Sequence, residues 1–150
     1  MKIALCGSAT SIERIQEIQK QLQERGHEVE APCAKILDEE GNVLSSQEYV
    51  RRYRSTPERS EWALKSERAL MYRYFPILTQ ADAVLIVNIT KNGIPNYIGG
   101  SAFLEMSIAC YLGKRIFLLN PVPQGLLYTE DILLIDPKII HGELDQITLS

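Results

Sequence analysis

Residues Ala83–Val87, AVLIV, form a continuous apolar run of strand length, rich in β-branched side chains. A half-exposed strand would alternate polar and apolar residues, so this run predicts a strand covered on both faces. Covering both faces takes helices on each side and crossover connections, which commits the chain to an α/β fold. The rest of the sequence supplies them. Residues 2–6 are a short apolar run stopping at Gly7, a predicted first strand. Thr10 and Glu13 match a capping box opening a helix with Ile12, Ile15, Ile18 and Leu22 on its core face and Gly26 as its stop. Residues 27–31 read as a second strand closed by Pro32, and the polar stretch LDEEGNVLSS as a surface loop. From 47 to 80 the pattern is helical, with Thr56 and Pro57 as N-cap and first turn of a new helix. Residues 115–119 and 138–141 complete the strands, with a short helix over 128–134 between them. The expectation is a single doubly wound domain over residues 1–150, flavodoxin- or Rossmann-like, with a mostly parallel sheet of about five strands flanked by helices.

Glu105 is the only charged side chain between Lys91 and Lys114, inside the apolar stretch NYIGGSAFLEMSIACYLG. That stretch reads as a helix with Ile98, Ala102, Glu105, Ala109 and Leu112 at spacings of three and four. Phe103, Met106, Ile108 and Tyr111 make much of the remaining circumference apolar, so the helix is expected to be buried on more than one side. A carboxylate there is hydrogen-bonded, protonated, or lines a wet pocket that uses it. The structural alternative is a Glu that ties two elements together by accepting hydrogen bonds from a neighbouring loop.

In a doubly wound fold, ligands bind at the carboxyl ends of the strands, near the point where strand order reverses. This rule nominates Gly7 and Ser8 after the first strand, Asn88 and Asn120 after the third and fourth, and the loop from Asn92 to Ser101 that leads to Glu105. Gly99, Gly100 and Ser101 precede the helix, where glycine lets backbone approach a ligand and the first-turn N–H groups stay open. Gly7-Ser8 offers a weaker version of the same arrangement, its alternative being a tight turn whose hydroxyl caps a helix. Between Arg51 and Arg73, seven basic residues face three acidic ones, a segment that either funnels phosphate toward the crevice or is a solvated helix face. Asp82, at the amino end of its strand, reads as structural. Trp62, Tyr72 and Tyr74 read as core aromatics with stacking on a base as the alternative.

The 150 residues carry a net charge of −3, which gives no basis for nucleic-acid or membrane-surface binding and leaves small molecules as the expected partners. Three widely spaced cysteines and two isolated histidines suggest neither a disulfide framework nor a metal site, so the chain reads as reduced and cytoplasmic. The N-terminal apolar run is too short for a signal peptide, and no stretch reaches a membrane span.

Taken in order, LCGS (5–8), ADAVLIV (81–87), GGSAFLEMSIA (99–109) and GKRIFLL (113–119) resemble the nucleoside 2-deoxyribosyltransferase superfamily, including its branch of deoxynucleoside 5′-monophosphate N-glycosidases. The resemblance implies that Glu105 is the nucleophile attacking C1′ of the sugar, with Asn88 or Tyr97 as a sugar contact and Gly7, Ser8, Gly99, Gly100 and Ser101 as ligand-contacting backbone. It implies no cofactor, no metal, and a homo-oligomer. The sequence departs from the family at one place. An Asp expected about two helical turns before the Ala-Asp strand falls at or near Tyr74, which implies either Tyr74 as a substitute donor or a nucleotide-binding module that no longer cleaves. GGSAFLE also sets the Gly-Ser pair about one residue further from the Glu than the common arrangement. A flavodoxin-like electron carrier fits less well, because no loop offers a flavin-phosphate cradle.

Overall fold

The computed structural model describes residues 1–55 and 60–149. Five parallel strands form one sheet: β1 (Lys2–Gly7), β2 (Glu28–Glu30), β5 (Ala83–Val87), β6 (Arg115–Leu118) and β7 (Lys138–Ile139), in the order β2-β1-β5-β6-β7. The central strand β5 pairs with β1 from Ile3↔Ala83 to Gly7↔Val87 and with β6 from Ala83↔Arg115 to Ile86↔Leu118. All five of its residues are buried, as its unbroken apolar sequence requires.

Period-two alternation divides the core between the two faces of the sheet. Ile3, Leu5, Ala83, Leu85 and Val87 pack on one side against Ile15, Ile18 and Leu22 of helix α1 (Ile12–Glu24) and against Ile140, Leu144 and Ile147 of the C-terminal segment. Ala4, Cys6, Val84 and Ile86 face the other side. They are covered there by α3 (Glu61–Gln80), α4 (Gly100–Tyr111) and α5 (Thr129–Ile135), through Tyr74, Leu78, Ala102, Met106, Ala109 and Ile132.

The polar stretch read as a loop is partly a hairpin: β3 (Lys35–Leu37) and β4 (Val43–Ser45) pair antiparallel. The buried Asp38 holds its turn, accepting from the backbone N–H groups of Glu40 at 2.9 Å and Asn42 at 2.8 Å. Those bonds, Asn42 first, keep the Asp38 carboxyl below its ordinary range. Helix α2 (Ser46–Tyr49) follows and runs into a π-turn over Val50–Arg54. Tyr49, Tyr53, Trp62, Leu44 and Ala63 form a satellite core beneath it, so Trp62 is a packing residue.

Two local expectations need correction, and a third falls outside the described residues. Ser8, not Thr10, is the side chain that caps the turn out of β1: its Oγ accepts from the Thr10 N–H at 3.4 Å, opening a 3₁₀ turn over Ala9–Ser11 ahead of α1. Ser8 lies closer to the strand end, where the free N–H groups first appear. Tyr111 is 89% exposed, and Leu104 and Cys110 are exposed too, so α4 buries one broad side rather than most of its circumference. Thr56 and Pro57 lie outside the described residues; α3 starts after Ser60, whose Oγ accepts from the Ala63 N–H at 3.0 Å.

Asn88, fully buried, clamps the carboxyl ends of β5 and β6. Its Nδ2 donates to the carbonyls of Asn120 (2.9 Å) and Pro121 (3.0 Å), its Oδ1 accepts from the Asn120 N–H at 2.9 Å, and Asn120 Nδ2 returns a bond to the Asn88 carbonyl at 2.9 Å. Asn88→Ala strands buried partners and is expected to destabilise the fold by about 2–4 kcal/mol in urea unfolding; a loss under about 0.5 kcal/mol would show the clamp to be dispensable.

Candidate active site

Strand order reverses between β1 and β5, and there the strand ends, α3 and the N-terminus of α4 enclose a cleft of about 730 Å³. Gly7, Ser8, Tyr74, Tyr97, Gly99, Gly100, Ser101 and Glu105 all line it. Asn88 does not: its amide is consumed by the clamp on Asn120 and Pro121. Asn120, nominated with it, is held in the same clamp and does not line the cleft either.

Glu105 reaches the cleft because α4 begins at Gly100 and the carboxylate lies one turn and a half inside it, facing the end of β1. The fully buried thiol of Cys6 donates a hydrogen bond to it. Burial pushes the Glu105 pKa up to about 7, against the opposing effect of that bond. The thiol is in turn pushed well above its ordinary value, first by burial and then by the Glu105 charge. Glu105 is half-buried as a residue, its open side being the cleft.

Tyr74 is also buried, and its hydroxyl donates to the Leu5 carbonyl of β1. Burial, reinforced by Cys6 and Glu105, drives the phenol far above its ordinary value. Its proton is thus committed to the backbone, and Tyr74 pins α3 to β1 instead of standing ready as the donor expected at that position.

The two glycine steps differ in kind. A Cβ at Gly7 would lie 3.0 Å from Ile15 Cδ1 and 3.3 Å from the Val87 carbonyl oxygen, so packing within the protein itself disfavours a side chain there. At Gly100 nothing lies within 4 Å, and no internal contact requires glycine there. Gly99 precedes α4 without a side-chain cap, leaving the first-turn N–H groups beside the cleft.

Two site residues went unmarked in the sequence. Cys6 carries no site role in the sequence reading, because its meeting with Glu105 depends on strand–helix packing. Lys91 was part of an undivided loop, although Asn92-Gly93 is a two-residue hairpin signal. Lys91 and Ile94 bridge across that turn, with Asn92 and Gly93 both at positive φ (49° and 75°). This sets the Lys91 ammonium 2.9 Å from Ser8 Oγ and 5.5 Å from the centroid of the Tyr97 ring. From the basic segment, Arg54, Arg68 and Arg73 line the cleft, while Arg51 and Arg52 turn to Glu48 and Asp38 and Arg59 lies outside the described residues. Among the described residues no His, Cys, Asp and Glu cluster could hold a metal ion, and no helix is long and apolar enough to cross a membrane.

No protein-family model and no curated sequence matches the chain. Among solved structures it aligns with a 2-deoxyribosyltransferase from the psychrotolerant bacterium Bacillus psychrosaccharolyticus, at a TM-score of 0.57 and 14% identity over 93% of this chain and 85% of that one. The chain has the fold of a 2-deoxyribosyltransferase. A CMP N-glycosidase, BcmB, from Clostridium botulinum also aligns, at a TM-score of 0.49 and 13% identity over 93% of this chain and 86% of that one. The deoxyribosyltransferase-like fold agrees with the family resemblance read from the four sequence segments.

A carboxyl whose folded pKa is raised is most stabilising below its unfolded value and loses that contribution as pH rises through about 7. Glu105→Gln is therefore expected to gain stability relative to wild type between pH 5 and pH 8, by about 1–3 kcal/mol in urea titrations, after discounting for the cleft's solvent. A difference that does not change with pH would mean that Glu105 is solvated like a surface carboxylate.

Proposed function

We propose that the chain cleaves or transfers at the N-glycosidic bond of a nucleoside or nucleotide, with Glu105 as the nucleophile. The observation that carries this reading is a desolvated carboxylate on the wall of a nucleotide-sized cleft, held by the Cys6 thiol at the strand-order reversal of a deoxyribosyltransferase-like fold. Ionised Glu105 attacks C1′ and forms a glycosyl ester as the base departs with the bonding pair and takes up a proton from the open cleft. Water or a second base then attacks C1′ and frees the carboxylate. Desolvation keeps a carboxylate reactive, and the Cys6 donor favours the ionised form that must attack. Tyr97 offers a ring face and a hydroxyl to the sugar, and its position is supported by Tyr128, whose hydroxyl bonds the Ile98 carbonyl at 2.6 Å. Gly100 supports backbone contact with the ligand, since its missing side chain answers no need of the chain itself. No cofactor takes part. A homo-oligomer belongs to the same reading, with the exposed Leu64 and Leu104 at the cleft as the surface a second copy would cover.

The second reading, nucleotide binding without cleavage, draws on the committed proton of Tyr74. In it, Glu105 accepts a hydrogen bond from a sugar hydroxyl and no bond breaks.

Chromatography of free base, after incubation with a panel of deoxynucleosides and their 5′-monophosphates, separates the two. Wild type is expected to release base and Glu105→Gln to lose at least about 10²-fold, or roughly 2.7 kcal/mol of transition-state stabilisation. Because the free carboxylate must be ionised, kcat/KM should rise with pH through an inflection near 7; a flat profile from pH 5 to 9 would place the attacking charge elsewhere. Absence of release across the panel, with nucleotides still raising Tm, would select the binding reading. Gly100→Ala is expected to fold with unchanged or slightly higher stability, up to about 1 kcal/mol. It should nonetheless weaken the rise in Tm that nucleotides produce, and an undiminished rise would remove Gly100 from the ligand.

A further inference from the structure

We infer that the cleft takes N-glycosides of dioxo bases, heterocycles of the uracil, thymine or xanthine kind that leave as delocalised anions, with Arg68 and Arg73 meeting the departing charge in place of a proton donor. This rests on the N-glycosidic reading of the cleft and assigns it a substrate class. A departing base keeps the electron pair of the C1′–N bond, so its developing negative charge must be either protonated or held by positive charge.

Glycoside chemistry ordinarily pairs its nucleophile with a second carboxylic acid. Beside Glu105, the carboxyl lining this cleft is Glu67, held in an ion pair with Arg54 at 3.0 Å. The Tyr74 and Tyr49 hydroxyls donate to the Leu5 and Ala63 carbonyls, and the Cys33 thiol donates to the Lys35 carbonyl at 2.6 Å. Positive charge, by contrast, is in excess. Arg68, Arg73 and Lys91 line the cleft and enter no ion pair among the described residues, in a chain whose net charge is −3. Lys91 is engaged with Ser8 Oγ at 2.9 Å, whereas neither guanidinium of α3 has a hydrogen-bond partner among the described residues.

A guanidinium does not give up its proton, but it carries permanent charge and a planar set of donors. The anion of a dioxo base spreads its charge over ring carbonyl oxygens and nitrogens, an acceptor edge that such donors fit. Cytosine and adenine carry an amino group instead and leave readily only once protonated. The step balances without an acid. Glu105 bonds C1′ as the C1′–N bond breaks and the base leaves as its anion; water then delivers hydroxyl to C1′ and its proton to the base, and Glu105 regains its charge.

The test measures kcat/KM for base release from 5-fluoro-2′-deoxyuridine, 2′-deoxyuridine, 2′-deoxycytidine and 7-methyl-2′-deoxyguanosine, together with their ribose counterparts and 5′-monophosphates. The 7-methylated base is already cationic and departs neutral. Wild type is expected to follow base acidity, with 5-fluoro-2′-deoxyuridine about tenfold above 2′-deoxyuridine and 2′-deoxycytidine at least about 10²-fold below it. Arg68→Gln with Arg73→Gln should lower release from 2′-deoxyuridine by about tenfold or more and spare 7-methyl-2′-deoxyguanosine, and Arg73→Lys should retain part of the rate. Both residues are exposed on α3, so Tm is expected to hold. An order that ignores base acidity overturns the proposal. An arginine effect equal on the 7-methylated substrate also overturns it, as does one seen only on monophosphates, where the cations would serve the phosphate. A Lys91→Met loss that falls on 2′-deoxycytidine overturns it too, since Lys91 would then be a proton donor. Release from 2′-deoxycytidine alone keeps the N-glycosidic reading and ends this one, and no release from any substrate ends both.

Discussion

Burial of β5 on both faces is the constraint from which the other features descend. An unpaired backbone group in the middle of a core is costly, so β5 must be paired on both edges, and β1 and β6 supply the ladders. An apolar strand must also be covered above and below, so the chain crosses over each time it leaves the sheet. Parallel crossovers gather all the turns that follow strands at one end of the sheet. The reversal of strand order between β1 and β5 then opens a crevice at that end. The cleft is thus a geometric result of hiding five apolar residues, before any residue in it is chosen for chemistry.

The residues at that edge divide between holding it together and facing outward. Asn88 and Asn120 satisfy each other across the ends of β5 and β6, which removes two polar side chains from the cleft and stiffens its rim. Tyr74 does the same between α3 and β1 through the Leu5 carbonyl. Glu105 is different. It sits among apolar neighbours with a thiol as its polar contact, and the resulting upward push on its pKa is the mark of a group whose environment favours the neutral form. Arg54, Arg68, Arg73 and Lys91 line the same cleft, so cations and the Glu105 carboxyl share one space.

Much of the fold was legible because it depends on local pattern. The apolar run of β5, the core-facing isoleucines of α1 and the helix around Glu105 all appear at their expected places. The hairpin β3–β4 was missed because its strands are three residues long and half-exposed, and its register is set by the Asp38 carboxylate folding back on Glu40 and Asn42. The capping of the first turn was misplaced by two residues because Ser8 and Thr10 are both competent caps. Their choice is made by where β1 ends against β5.

The sequence by itself determined the α/β class, the burial of β5 and the isolation of one carboxylate in an apolar helix, since each is a matter of spacing along one segment. Only the tertiary structure decided that Cys6 meets Glu105, that Lys91 meets Ser8 across 83 residues, that the Tyr74 hydroxyl donates to the Leu5 carbonyl, and that Asn88 bonds the turn after β6 and not the cleft. Those outcomes depend on distances between segments far apart in the chain, which are set when two faces of a sheet are covered at once.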